Sequence, residues 1–396
     1  MPLRNWYASL NDADWMAGGF GLYIHWPFCQ AKCPYCDFNS YVSDKIDQDR
    51  WKSAYLSEIK RLSSETRGRT LTSVFFGGGT PSLMAADMVA DIIAAVRTEW
   101  AVANDLEITL EANPTSAEAG RFKGFRDAGV NRVSIGLQAF NDDDLRRLGR
   151  LHSAREGLAA FDLARNTFDR VSFDLIYARQ HQTLDQWRDE LATALSLAAD
   201  HLSLYQLTIE PGTAFGDRFE ANRLPGLVPD DDAAGMYDLT QELCENAGLP
   251  AYEVSNHAAD MAQSRHNLIY WRSGDFIGIG PGAHGRLTLS GTRYATETHM
   301  SPLGWLKSVE TSGSGETERT ALSRQDHASE YAMMGLRLTE GLDRARYIRL
   351  NGGDFRRDVL DHLTELGVIW VTDTRIGATP NGRRVLNAVL RELLVD

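Results

Sequence analysis

Between residues 22 and 209, six short runs of apolar, β-branched and aromatic residues alternate with amphipathic stretches. The runs are 22–28, 73–76, 107–111, 132–138, 170–177 and 201–209. Segments 47–66, 85–100, 116–128, 142–168 and 184–199 between them have helical length and periodicity, the fourth broken near Gly149. Parallel strands cannot be joined by tight turns and need a crossover, so this alternation predicts βα units around a parallel sheet. Six units predict an α/β fold: a partial (β/α)6 barrel, related to the closed eight-unit barrel, with its chemistry at the C-terminal ends of the strands.

Polar and special residues gather where that rule places a site. A cysteine motif follows the first run, Gly77-Gly78-Gly79 ends the second and Glu111-Ala-Asn-Pro ends the third. Gln138 ends the fourth run and Asp174 lies within the fifth. Beyond about Pro211 the repeat fades into loop-rich sequence, then a helix at 233–247 with Gly248 as its stop. A run at 251–255, the segment Arg265–Trp271 and a Gly-rich strand end at 276–285 follow, and residues 308–320, rich in Ser, Thr and Gly, read as a linker. The remainder reads as helices at 326–338, 343–350 and 355–366, a β-hairpin at 368–379 and a helix at 382–394, the order of a winged helix. The expected divisions are an N-terminal tail (1–20), the barrel (21–235), a connecting α+β region (236–320) and a winged-helix-like domain (321–396).

Charge and cysteine content narrow the chemistry. With 41 Lys and Arg against 54 Asp and Glu, the net charge is −13, so no global field draws nucleic acid or anionic lipid. No apolar stretch suits a signal peptide or a membrane span. Of four cysteines, three lie within eight residues, a pattern of metal binding in a reducing compartment rather than of disulfides; a cytoplasmic location is expected. Cys244, in a helical pattern, reads as an inert buried thiol.

Cys29-Gln-Ala-Lys-Cys33-Pro-Tyr-Cys36 offers three thiolates on a loop after a strand. Zinc normally takes four protein ligands, with His25 as the available fourth. A [4Fe-4S] cube held by three thiolates keeps one iron open for a small chelator, and the amino and carboxylate groups of S-adenosylmethionine suit that position. Structural zinc and plain buried thiols are the competing readings. In Phe76-Gly77-Gly78-Gly79-Thr80-Pro81, glycines let backbone N–H groups approach a ligand closely, a tight turn being the bland alternative; no Gly-Lys-Ser/Thr follows, so this is not a P-loop.

The stretch Tyr23-Ile-His-Trp-Pro-Phe-Cys-Gln-Ala-Lys-Cys-Pro-Tyr-Cys-Asp-Phe-Asn-Ser resembles the opening motif of radical SAM proteins of the oxygen-independent coproporphyrinogen III oxidase family. Within that family it is most similar to the HemW-type heme chaperones, and the similarity runs from about Gly21 to the C-terminus. The resemblance implies a [4Fe-4S] cluster on Cys29, Cys33 and Cys36. It implies S-adenosylmethionine contacts from Gly78, Gly79, Thr80 and Glu111, with Tyr23 and Tyr35 near the cofactor. Gln138, Arg150 and Asp174 match positions that bind a second S-adenosylmethionine in the oxidases; alone, each also suits a structural role.

Arg265-His266-Asn267-Leu268-Ile269-Tyr270-Trp271 contains the His-Asn-x-x-Tyr-Trp pattern of the chaperone branch. It implies His266 as a heme ligand, with Tyr270 or Trp271 against the porphyrin; His284 in Gly-Pro-Gly-Ala-His-Gly is a second candidate, lining the S-adenosylmethionine pocket being its equal alternative. Oxidase relatives carry a further cysteine after the third ligand, as Cys-x-Cys, whereas here Cys36 is followed by Asp37-Phe38-Asn39-Ser40. That departure, with a short N-terminal extension, favours a heme carrier over coproporphyrinogen decarboxylation. The implied partners are heme, recipient apo-hemoproteins, an electron donor if the cluster is reduced, and peripheral contact with membrane hemoproteins without a span. Nucleic acid is not expected, because acids and bases nearly balance in the winged-helix-like segment.

Overall fold

The first strand, β1 (Phe20–Trp26), lies inside an eleven-stranded sheet rather than at its edge. In this computed structural model, residues 13–43, 45–198 and 200–394 are described; most of the expected N-terminal tail lies outside them. A two-stranded ladder of β2 (Phe28–Cys29) and β3 (Tyr41–Val42) follows β1. The sheet continues with β4 (Thr70–Gly78), β5 (Ala101–Ala112), β6 (Arg132–Gln138), β7 (Arg170–Tyr177) and β8 (His201–Gln206). Then come β9 (Asn256–Ala258), β10 (Asp275–Ile279), β11 (His284–Leu289), β12 (Thr292–Thr298) and β13 (Glu316–Ala321).

The spatial order is β13-β12-β11-β10-β1-β4-β5-β6-β7-β8-β9. From β1 through β8 every neighbour is parallel, which is the six-stranded partial barrel expected. The outermost strands β9 and β13 are not joined to each other, so the sheet is not closed. Two features were not foreseen. Strand β10 pairs in parallel with the free side of β1, and β11, β12 and β13 extend that edge as an antiparallel meander. Residues 308–320 are not a linker: they finish the helix Pro302–Ser312, turn at Gly313 and enter β13. Gly313 takes φ +75°, a left-handed conformation that glycine adopts without a Cβ penalty.

Alternation of side chains sets the layers. Leu22, Ile24 and Trp26 of β1, Val133, Ile135 and Leu137 of β6, and Val171, Phe173 and Leu175 of β7 are buried in one apolar core beneath the helices. Trp26 meets Trp51 of helix Gln48–Glu65 edge-on at 5.9 Å, and Phe173 meets Phe161 of helix Ala154–Arg165 at 4.9 Å. Each such side chain contributes about 1.5–3 kcal/mol by leaving water. The other face of these strands is polar. Ser134 Oγ lies 2.9 Å from Ser172 Oγ, and Arg132 Nη2 donates to Ser172 at 2.9 Å.

The crossover helices start where capping predicts. Ser153 and Thr183 each make a capping box, with Glu156 and Gln186 respectively. The expected helix at 142–168 is two, Asp142–Arg147 and Ala154–Arg165, with Gly149 at φ +69° between them. The 116–128 helix is likewise split into Ser116–Ala119 and Phe122–Ala128. The run 251–255 is not a strand; β9 follows it, antiparallel to β8.

Residues beyond 322 build a second core around Tyr331, Leu350, Leu363, Ile376 and Leu390. Helices Arg324–Gly335, Arg344–Asn351 and Arg357–Glu365 precede the hairpin of β15 (Ile369–Val371) and β16 (Arg375–Ala378), which β14 (Leu342–Asp343) joins as a third strand. Arg346 ties this unit to Asp14 at 2.8 Å, and Arg272 of the barrel region reaches Glu340 at 2.9 Å. Among the described residues, no helix is long and apolar enough to cross a membrane.

Asp275, at the start of β10, is fully buried and accepts from Arg69 at 2.6 Å, Arg293 at 2.8 Å and Thr288 Oγ1 at 3.0 Å. Asp275→Asn leaves two withdrawn guanidinium groups without their counter-charge, so a loss of about 3–5 kcal/mol in denaturant unfolding is expected. A loss below about 1 kcal/mol would show that Asp275 does not hold the β1–β10 seam.

Candidate cofactor site at the C-terminal ends of the strands

The cysteine loop is held from three sides. Gly79 N–H donates to Trp26 O at 2.7 Å and Thr80 N–H to Phe28 O at 2.9 Å, which fixes the start of the loop against the end of β4. Cys36 N–H turns back to Cys33 O at 3.1 Å. On a second side, Phe215 N–H donates to Pro34 O at 2.8 Å, and a Cβ at Gly149 would come within 2.6 Å of Pro34 Cδ. On the third, Asn39 Nδ2 donates to Pro281 O and Met300 O, both at 2.9 Å. A Cβ on Gly282 would lie 2.4 Å from that amide, so Gly282 makes room for Asn39.

The glycine triplet accommodates the chain as well as any ligand. A Cβ at Gly77 would meet Tyr23 Cε2 at 2.8 Å, one at Gly78 would meet His25 Cε1 at 2.6 Å, and one at Gly79 would meet Cys29 Sγ at 3.0 Å. Gly78 also has φ +113°, which L side chains rarely adopt.

All three loop cysteines are free thiols; Cys29 is buried, Cys33 and Cys36 half-buried. His25 is not placed to complete a zinc tetrahedron. Its Nε2 lies 2.9 Å from Asn39 O and its Nδ1 3.0 Å from Tyr23 OH. Since Asn39 O can only accept, Nε2 carries the proton and Nδ1 accepts from Tyr23. Burial lowers the His25 pKa, consistent with the neutral ring. Among the described residues, no group of three or more His, Cys, Asp or Glu side chains could hold a single metal ion. A cube distributes three thiolates over three irons, so its ligands need not converge on one point.

Hydrogen bonds run from the glycine strand to the loop. Asn113 Nδ2 donates to Thr80 Oγ1 at 3.0 Å, Arg150 Nη2 donates to Asn113 Oδ1 and to Gly136 O at 2.8 Å, and Arg150 Nη1 lies 3.6 Å from Cys33 Sγ. Burial opposes the Arg150 charge, but Tyr35 and Cys33 more than offset it, raising its pKa. Burial and Cys33 raise Tyr35, against the pull of Arg150. Gln138 sits beside Arg150 at φ +68°, and Gly136 leaves space for both side chains. Gln138 Oε1 and Arg150 Nε are buried without a hydrogen-bond partner. A strained residue and two unpaired polar atoms at strand ends are what a ligand-binding cavity leaves when the chain alone is considered.

Deeper in the interior, Gly78 N–H donates to Glu111 Oε2 at 3.3 Å, and Ser134 Oγ donates to Asp174 Oδ1 at 3.1 Å. Burial, then Asp174, pushes Glu111 up to about 8, against the Gly78 N–H and Arg132. Burial also raises Asp174, against Ser203, Ser134 and Arg132. Arg132 is buried and forms no ion pair among the described residues; its cation faces these two acids from the floor of the interior. The chemistry of the donor set therefore fits the polar end of S-adenosylmethionine: carboxyl groups for an amine, backbone N–H groups and Arg150 for a carboxylate.

The structure thus brings Cys29, Cys33, Cys36, Gly78, Gly79, Thr80, Glu111, Gln138, Arg150, Asp174, Tyr23 and Tyr35 to one end and interior of the barrel. His266 and Tyr270 lie one layer toward the N-terminal ends. His266 is 1% exposed, with Nδ1 2.6 Å from Ser73 Oγ and Nε2 2.6 Å from Tyr270 OH. Phe75 stacks on it at 5.0 Å, and burial followed by Arg132 lowers its pKa to about 3. Both nitrogens are engaged and neither faces a surface, so this arrangement offers no ligand position to an iron. His284, by contrast, is exposed at the start of β11, 3.7 Å from Glu297. Cys244 is fully buried, its thiol pushed up to about 12 by burial.

Three participants escaped the sequence reading. Asn113 stood inside the Glu-Ala-Asn-Pro motif without an assigned role. Arg132 was legible as an inward residue, two positions before Ser134 on the same strand face. Asn39 carried no local signal, because its partners are more than 240 residues away.

The chain is also similar to known proteins. Residues 23–194 match the radical SAM superfamily, and residues 322–385 match the HemN C-terminal domain. The mouse protein named radical S-adenosyl methionine domain-containing protein 1, mitochondrial, is 42% identical over 81% of this chain and 74% of its own length. The Escherichia coli protein named heme chaperone HemW is 37% identical over 95% of this chain and 98% of its own. In solved structures, the coproporphyrinogen III oxidase HemN of E. coli superposes with a TM-score of 0.80 at 20% identity, covering 99% of this chain and 93% of that one. That likeness establishes the fold.

In the folded chain Glu111 holds its proton up to about pH 8, whereas an unperturbed glutamate releases it near 4.5. The folded form therefore binds more protons across that window, and stability falls as pH rises through it. Glu111→Gln is expected to match the wild type near pH 4.5 and to exceed it in denaturant midpoint by pH 8. Parallel stability curves across the window would refute the protonated carboxyl.

Proposed function

Since this chain belongs to the family of the HemW heme chaperones within the radical SAM superfamily, we propose that it binds heme and delivers it to apo-hemoproteins. In this reading Cys29, Cys33 and Cys36 hold a [4Fe-4S] cluster, and the interior beside it takes S-adenosylmethionine. The observation that carries the cofactor assignment is the clamped loop of three free thiols beside buried, unpaired Gln138 and Arg150 atoms. Held by Cys29, Cys33 and Cys36, such a cluster would supply one-electron chemistry next to the ligand. The chain's own contribution is orientation. Gly78 and Gly79 admit close backbone approach, Glu111 and Asp174 present carboxyl groups, and Arg150 places its cation between the ligand space and Cys33.

Two features support heme as the further ligand. The mouth of the barrel carries an exposed apolar rim, with Phe38 59%, Val42 55%, Met300 67% and Leu303 71% exposed. Tyr41 OH, donating to Met300 O at 3.3 Å, ties the two sides of that rim together. The exposed imidazole of His284, in the segment Gly280 to Gly285 that flanks the rim, is the better candidate axial ligand, because His266 spends both nitrogens on Ser73 and Tyr270. Phe38 stands in the segment where the oxidases carry their extra cysteine, so decarboxylation of coproporphyrinogen is the less favoured activity.

Anaerobic reconstitution followed by heme titration and transfer to an apo-hemoprotein tests the reading. Reconstituted protein that takes up no heme would end it, and conversion of coproporphyrinogen III would replace it with the oxidase. Cys33→Ala is expected to lose the visible absorbance of the cluster, because two thiolates remain for the cube. His284→Ala is expected to weaken heme binding by about tenfold or more, a cost of about 1.4 kcal/mol. His266→Ala is expected to keep heme affinity while losing about 1–3 kcal/mol of stability, since buried Ser73 and half-buried Tyr270 lose a partner. The opposite pattern would return the ligand role to His266.

A further inference from the structure

At the N-terminal ends of the strands, remote from the cysteine loop, the turn between β11 and β12 and the helix Arg324–Gly335 border a cavity of about 170 Å³. Arg293, Arg324 and Arg349 line it, against the single carboxylate of Asp14. That carboxylate is already committed, with Arg346 Nη2 at 2.8 Å and Nε at 3.1 Å. Arg324 is held in place by donating to Arg349 O at 2.7 Å, and neither Arg324 nor Arg349 forms an ion pair among the described residues.

Two buried nitrogens complete the lining, a guanidinium donor and an imidazole nitrogen that donates in its Nε2–H tautomer. Arg293 is 5% exposed; its Nη1 and Nη2 reach Asp275 Oδ1 at 2.8 Å and Gly274 O at 3.0 Å, but its Nε has no acceptor. His327 Nε2 is likewise buried without a hydrogen-bond partner, Asp14 Oδ2 standing off at 3.9 Å. Buried donors are almost always satisfied, and each one left open costs about 1–3 kcal/mol. In a chain of net charge −13, three arginines around one cavity are also not the product of a general basic excess.

We propose that this cavity binds a small oxyanion, a phosphate or carboxylate group, among Arg293, Arg324, Arg349 and His327. Its oxygens accept from the open donors, and charge-assisted bonds from guanidinium groups favour such an anion over chloride. Arg293 belongs to the barrel sheet and Arg324 and Arg349 to the C-terminal unit, so the anion bridges the two. The site is separate from the cluster loop, and its test does not depend on heme binding.

The test titrates the full-length protein with inorganic phosphate and, separately, succinate, with sodium chloride holding ionic strength constant. The readouts are calorimetric affinity and thermal midpoint. Saturable binding with a rise in midpoint is expected for at least one of the two anions, and which one responds identifies the group. The Arg324→Gln, Arg349→Gln double variant is expected to fold with an unchanged or higher midpoint without anion and to bind at least about tenfold more weakly. Equal responses in the two proteins, or no saturable response beyond chloride, would overturn the proposal.

Discussion

The two faces of the barrel strands have opposite chemistry, and the site depends on that opposition. One face is apolar and buried under helices, so the strands cannot slip by one residue without placing Leu22, Ile135 or Phe173 in a polar interior. The same register directs Glu111, Ser134 and Asp174 inward, where the Arg132 cation partly offsets the burial of the two acids. The hydrophobic core thus positions the polar groups. It also buries both acids, which raises both their pKa values, and keeps Asp174 close enough to push Glu111 further up.

The cysteine loop is positioned differently, by contacts from distant parts of the chain. Pro34 is gripped between Gly149 and Phe215, while Asn39 reaches the segment around Pro281 and Met300. A thiol loop with so little secondary structure would otherwise be mobile, and ligands for an iron–sulfur core need fixed separations. Arg150 links the two systems, since it touches Cys33 and, through Asn113, the end of β4.

Much of this was legible in the amino-acid order. The βα alternation, the placement of motifs at strand ends and the break at Gly149 all follow from local periodicity and turn chemistry. The order of helices and hairpin after residue 322 is equally local. What was not legible is long-range. Nothing near residue 275 announces that β10 will pair with β1, because the partners of Asp275 there, Arg69 and Arg293, come from elsewhere in the fold. His266 reads as a heme ligand from its motif. Only its packing against Gly21, Ser73 and Phe75 turns it into an internal plug.

Strand β13, whose composition suggested a linker, closes one margin of the open sheet. Its sequence Glu-Thr-Glu-Arg-Thr-Ala is largely exposed, and Arg319 is braced by Glu316 at 2.7 Å and by Glu65 of the first crossover helix. An unclosed sheet presents a row of free backbone donors and acceptors to any passing strand. Charges along such a border make addition of another chain costly, so the polarity that hid this strand from view also guards the molecule against self-association at its rim.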